Sequence, residues 1–253
     1  MPRNPKLDHV KAKAGTRGDV HEVGWKYLSR LYPIVHHMHQ VLLLHRDDES
    51  SLQVSTRQYV IALATHLETF FRDIFRYALE NDSHIFDHTV RKHRLRVPSD
   101  HDLAQQGVTG YDFIAESLTL QSAESIADAL DPLFVPNGFR FAVEHTQFQY
   151  AIPSKSAFGQ GFPLTAFPDW WQDFTQIFNL RHEFIHDANS AAFVRPLEVG
   201  RLESLAVILP QYVTMMVGAV RLVFTVQSLG NVVPMFLVED ILATDWEVPR
   251  SDN

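Results

Sequence analysis

Between Ser51 and Glu80, apolar side chains recur at steps of three and four: Val60, Leu63, Leu67, Phe71, Ile74 and Ala78. That spacing stacks them on one face of an α-helix, and so long an apolar face has to be covered by other elements. The same period runs through Trp25, Leu28, Leu31, Ile34, Val35, Met38, Val41 and Leu42, within about 20–46. Pro33 is expected to kink that helix or to start a second segment. Asp47-Asp48-Glu49-Ser50 reads as a polar break, and Asn81-Asp82-Ser83 ends the second helix. A short basic helix is expected over 84–94, stopped before Pro98, then a polar, turn-rich stretch from Ser99 to Gly110 and one or two helices within 111–130. Asp169 is placed to cap a helix from Trp170 to about Ala188, with Trp171, Phe174, Phe178 or Ile177, and Ile185 as its apolar stripe. A last long helix is expected from near Pro196 to about Ser228, and a closing one over 238–246. No internal repeat is evident. The expected fold class is all-α.

One segment breaks the pattern. From Pro132 to Phe167, prolines and glycines punctuate the chain, and half of its 18 phenylalanines lie between Phe134 and Phe178. This reads as an irregular, aromatic-anchored insertion over 132–167, with a hairpin at Asn137-Gly138. Residues 1–19 are basic and rich in Pro, Gly and Lys, and read as a flexible arm. The expected organisation is that arm followed by a single domain over 20–253.

Several function classes are excluded early. The chain has no cysteine, so disulfide scaffolds, cysteine-ligated metals and a cysteine nucleophile are all absent. A net charge of −8 argues against nonspecific coating of nucleic acid, while leaving room for a small basic site. The N-terminus lacks the apolar core of a secretory signal, and a cytoplasmic location is expected. Between Ser204 and Val238 the sole charge is Arg221, so a membrane span has to be weighed. Pro210, Gln211, Thr214 and Gly218 lie inside that window, and a mid-span arginine costs roughly 2.5–3.5 kcal/mol, which favours a buried helix and no membrane partner.

Residue types suited to chemistry concentrate in Asn179-Leu180-Arg181-His182-Glu183-Phe184-Ile185-His186-Asp187-Ala188-Asn189. Two patterns overlap there. His182-Glu183-x-x-His186 puts two imidazoles on one helix face, where they can grip zinc while Glu183 activates a bound water. The flanking Arg181 and Asp187 are charged, and Asn189 and Ala192 stand where an extended motif would carry glycine and a third histidine. Glu198 or Glu203 would then have to supply the third ligand.

The other pattern is Arg181-x4-His186, with polar His182 directly after the arginine. It resembles the motif of the HEPN (higher eukaryotes and prokaryotes nucleotide-binding) domain family, and Leu63-Ala64-Thr65-His66-Leu67-Glu68-Thr69-Phe70-Phe71 is similar to that family's acidic early helix. The sequence departs from the family in carrying Asp187 where a glycine often follows the histidine, and in its long insertion. The resemblance implies an all-α bundle acting as a homodimeric, metal-independent endoribonuclease with no cofactor. It also implies a place in toxin–antitoxin or antiviral defence, with an antitoxin or regulatory protein as a further partner. A non-catalytic module binding RNA, a nucleotide or a partner protein has the same resemblance.

The chemistry of the second pattern stands without the family. Metal-free RNA cleavage needs a base for the 2′-OH, an acid for the leaving 5′-oxygen and a cation for the phosphate. Histidine serves as base or acid near neutrality, and arginine forks onto phosphate. His186 also lies near a helix C-terminus, where the dipole favours a cation. Arg181 and His186 are five apart, about 140° around an ideal helix, so the long arginine must curl or the site must be shared; a two-fold dimer would bring two histidines and two arginines into one cleft. Glu68 is a candidate to orient Arg181 or a histidine across the bundle, and Asn179 to contact RNA. Arg91, Lys92, Arg94 and Arg96 form a basic run that would guide RNA. His36, His37 and His39 look metal-like, but successive helix positions point in different directions.

Overall fold

A computed structural model describes residues 20–45, 48–146, 149–152, 157–160, 167, 169–187 and 194–229. The expected arm over 1–19 and the closing helix over 238–246 lie outside the described residues. Helix α1 spans Val20–Leu44 and α2 spans Glu49–Asn81. The shorter α3 (Ser83–Lys92), α4 (Asp100–Gln105), α5 (Gly110–Ser117) and α6 (Ala123–Leu130) follow. A 3-10 turn over Asp131–Phe134 leads into α7 (Gly138–His145). Strands β1 (Gln149–Ile152) and β2 (Ala157–Gln160) form an antiparallel hairpin, with Gln149 opposite Gln160. Two long helices close the chain, α8 (Trp170–His186) and α9 (Pro196–Leu229). The described chain is thus helical apart from this hairpin. Among the described residues no helix is long and apolar enough to cross a membrane.

Helix α2 is the axle, packed by α1, α5, α8 and α9. Its apolar face, including Val60, Leu63, Leu67, Phe71 and Ile74, is fully buried, as the spacing predicts. Phe71 meets Phe139 of α7 edge-on at 6.1 Å and Phe174 of α8 at 5.4 Å, so aromatic rings from three helices lock together. Asp48 begins α2 rather than ending a break: its carboxylate accepts from the Ser51 N–H at 3.2 Å.

Both prolines inside long helices are tolerated, for different reasons. A proline leaves the carbonyl four residues earlier without its helical donor. For Pro33 that residue is Ser29; both are exposed, where solvent can serve the carbonyl, and α1 runs through unbroken. For Pro210 it is Ala206, which is fully buried. There the Tyr27 hydroxyl of α1 donates to the Ala206 carbonyl at 2.6 Å and fills the gap.

Four expectations need correction. Asn137-Gly138 does not make a hairpin; Gly138 takes φ +82° at the start of α7, and Phe139 behind it is fully buried in the core. The strand pairing comes later, between 149–152 and 157–160. The polar stretch after Ser99 contains a helix, capped by the Ser99 side chain and held by a small apolar cluster of Leu103, Val108 and Phe113. The stripe of α8 is Trp170, Phe174, Ile177 and Phe178; Trp171 is half-buried, Ile185 is 49% exposed, and Asp169 makes no side-chain cap.

Candidate functional site

Helix α8 presents its last two turns in two directions. His182 and His186, one turn apart, are exposed, with ring centres 4.6 Å apart and planes inclined by 50°. Arg181 turns inward instead, toward α2, and is only 19% exposed. Its Nη1 lies 3.1 Å from Oε2 of Glu68. Of the partners weighed for Glu68, Arg181 is in contact with it. The other oxygen of Glu68 takes Arg72 at 2.8 Å, one turn along α2. Arg72 also donates to the Ala115 carbonyl at 2.8 Å and the Leu118 carbonyl at 3.2 Å, and lies 3.6 Å from Glu116. The result is a chain of alternating charge, Arg181–Glu68–Arg72–Glu116, tying α8 through α2 to the C-terminal end of α5. Charges this shielded from water interact more strongly than surface pairs.

Further titrating groups sit on other faces of α2 and on the neighbouring α5. Burial pushes the Asp73 carboxyl up to about 6; Arg30, Arg76 and Arg72 oppose that, and Glu116 adds to it. Burial, then the Arg30 charge, lowers the His66 imidazole. For Asp112, burial alone would raise the carboxyl, but Thr109 donors and Arg76 outweigh it and hold the group below its usual value.

The remaining sequence candidates divide. Asn179 is exposed on α8, beside the motif. Arg91, Lys92, Arg94 and Arg96 are exposed, but they lie beyond the C-terminal end of α2. Their neighbours His93 and Leu95 border a cleft with Leu118, whose carbonyl accepts from Arg72. Lys92 is ion-paired with Asp128, and Arg91 Nε donates to the Asp87 carbonyl at 3.1 Å.

The carboxylates weighed as a third zinc ligand are engaged elsewhere. Glu198 accepts from the Arg195 N–H at 3.0 Å, at the start of α9. Glu203 is buried, accepts from the Tyr59 hydroxyl, and lies 2.9 Å from His39 Nε2. Among the described residues no three His, Asp or Glu are grouped to hold a metal ion. His36, from the histidine run, stacks on Tyr32 instead.

Sequence reasoning missed two arginines. Arg72 had a visible signal, its i, i+4 spacing from Glu68. Arg57 had none: its guanidinium sits 5.4 Å over the ring of Phe184, bringing a second α2 cation beside the motif. An open groove of about 740 Å³ lies elsewhere, between Glu124, Asp128, Asp131, Arg140 and Trp171.

No protein-family model, no curated protein and no solved structure matches the chain.

Proposed function

We propose that this chain is a HEPN-like endoribonuclease that cuts RNA as a homodimer by attack of a 2′-OH on the adjacent phosphate. The supporting observation is the pairing of an inward, carboxylate-held Arg181 with exposed His182 and His186 at one helix end. One histidine, His186 in this reading, takes the 2′-OH proton. The 2′-oxygen bonds to phosphorus and the bond to the 5′-oxygen breaks. A protonated histidine, either His182 or His186 of the second copy, gives its proton to the departing oxygen. The products are a 2′,3′-cyclic phosphate and a free 5′-OH. Arg181 steadies the phosphate charge as five bonds gather around phosphorus. The balance needs no metal and no cofactor. A role in toxin–antitoxin or antiviral systems, with an antitoxin or regulatory partner, is part of the same proposal and rests on the resemblance alone.

The test is incubation of the purified protein with RNA in EDTA. Wild type is expected to leave cyclic-phosphate ends, and His186→Ala to cut roughly 10²–10⁴-fold more slowly. Equal cleavage by both would sink the assignment. RNA bound but never cut would move the chain to the binding-module class, and stoichiometric zinc lost on His182→Ala would move it to the zinc hydrolases.

A further inference from the structure

We infer that Arg72 is a positioning residue: by holding one oxygen of Glu68, it limits Arg181 to a one-point anchor and keeps the rest of that guanidinium available for an anion. The inference rests on the reading of Arg181 as the phosphate ligand.

A carboxylate and a guanidinium left to themselves prefer a two-point fork, which uses two donors and centres the charges on each other. Glu68 does not fork Arg181. Its Oε2 takes Arg181 Nη1 at 3.1 Å, and its Oε1 is already committed to Arg72 at 2.8 Å. Arg72 cannot easily leave. It is 12% exposed, and the carbonyls of Ala115 and Leu118 at the end of α5 fix its Nη1. Carbonyls at a helix C-terminus are natural cation anchors, so α5 acts as the fixed post. Glu116, 3.6 Å from Arg72, offsets part of its charge.

Arg181 has no comparable set of anchors. Among the described residues Glu68 is its one ionic partner, and its Nε is buried without a hydrogen bond. A donor left unmet in a protein interior is unfavourable and calls for a reason. Here the reason is that the side chain is placed by Glu68 rather than by a full set of its own bonds. If Arg72 were removed, Glu68 would turn its second oxygen onto Arg181 and close the fork. Arg181 would keep its position on α8 but lose donors and net charge toward a ligand.

The experiment uses the full chain with Arg72→Met, Arg72→Lys and the double change Arg72→Met with Glu68→Gln. The first readout is the Arg181 Nε–Hε resonance in nitrogen-15 NMR, assigned by its loss in Arg181→Lys. The second is the affinity for a 2′-O-methyl oligonucleotide, which has no 2′-OH to attack. Arg72→Met is expected to shift the Arg181 resonance and weaken binding about tenfold, on the scale of one charge-assisted hydrogen bond. The double variant should regain most of that affinity, because a neutral amide cannot capture Arg181; a purely structural role for Arg72 would leave it as weak as the single variant or weaker. If Arg72→Met does not fold, Arg72→Lys should show the same changes at smaller size. An unchanged Arg181 resonance in the Arg72 variants, or no recovery in the double variant, overturns the inference. Wild type that neither binds nor cuts RNA refutes the ribonuclease reading, and the resonance still decides what Arg72 does.

Discussion

Changing Tyr27 to phenylalanine removes one oxygen and, with it, the donor that serves the Ala206 carbonyl across from Pro210. That carbonyl is buried and its helical donor is missing, so nothing in α9 replaces the 2.6 Å bond. An unmet buried acceptor costs about 1–3 kcal/mol. The ring itself stays packed against Phe70 at 5.1 Å, so no cavity term is added. Equilibrium urea unfolding should therefore report a loss of about 2 kcal/mol, a midpoint shift of roughly 1 M. The decisive comparison is the same change made in a Pro210→Ala background. Alanine restores an N–H at position 210, which can reach the Ala206 carbonyl along the helix. There the loss of the hydroxyl should cost only about 0.5–1 kcal/mol, since the carbonyl is no longer orphaned. The two changes should couple by about 1 kcal/mol or more. If their effects simply add, within about 0.5 kcal/mol, the repair of the proline defect by Tyr27 is wrong.

Three other outcomes concern the buried charges beside α2 and the turn before α7. Asp73→Asn fixes that side chain in its neutral form. In wild type the raised carboxyl contributes stability while protonated, fully below about pH 4, and loses it as pH rises through about 6. The two proteins should match at pH 4, while at pH 7.5 the variant should be more stable by no more than about 3 kcal/mol; a difference that does not change with pH refutes this. Arg76→Leu leaves the Asp112 carboxylate, which is 2% exposed, with only its Thr109 donors, and should cost about 2–3 kcal/mol in thermal or urea unfolding. Gly138→Ala forces a side chain onto φ +82° and puts its Cβ 2.7 Å from Asp131 Oδ1, the acceptor of the Phe139 N–H. It should cost about 1–3 kcal/mol, and a neutral effect would show that the turn relaxes freely.

The long helices were legible because their apolar spacing is unambiguous. α2 begins two residues before the expected start, where Asp48 caps it, and ends within a residue of the expected end. The failures came where local signals were outvoted by packing. Asn-Gly is a strong hairpin marker, yet burying Phe139 draws the chain into α7 instead. In α8 either of two adjacent tryptophans satisfies the spacing, and the core takes Trp170. The site was legible in part. That Arg181, His182 and His186 share one short stretch is plain in the sequence, and Glu68 stands out there as a carboxylate able to orient Arg181 or a histidine. The division of Glu68 between Arg72 and Arg181 was not legible, because 113 residues separate Glu68 from Arg181 and nothing local says which cation takes which oxygen. For the same reason Glu203, once weighed beside the histidines of α8, belongs to a different contact with Tyr59 and His39.

The placement of Glu68 and Arg72 on the same helix that carries the buried phenylalanines has a consequence for insertions and deletions. One extra residue between them would turn everything beyond it by about 100°. Phe71 and Ile74 would leave the core together with the loss of the Glu68–Arg72 bond, so no compensating change at a single position could restore both. The stretch 67–76 is therefore fixed in number as well as in kind, and a change of chain length there should disrupt far more than one in a connection between helices.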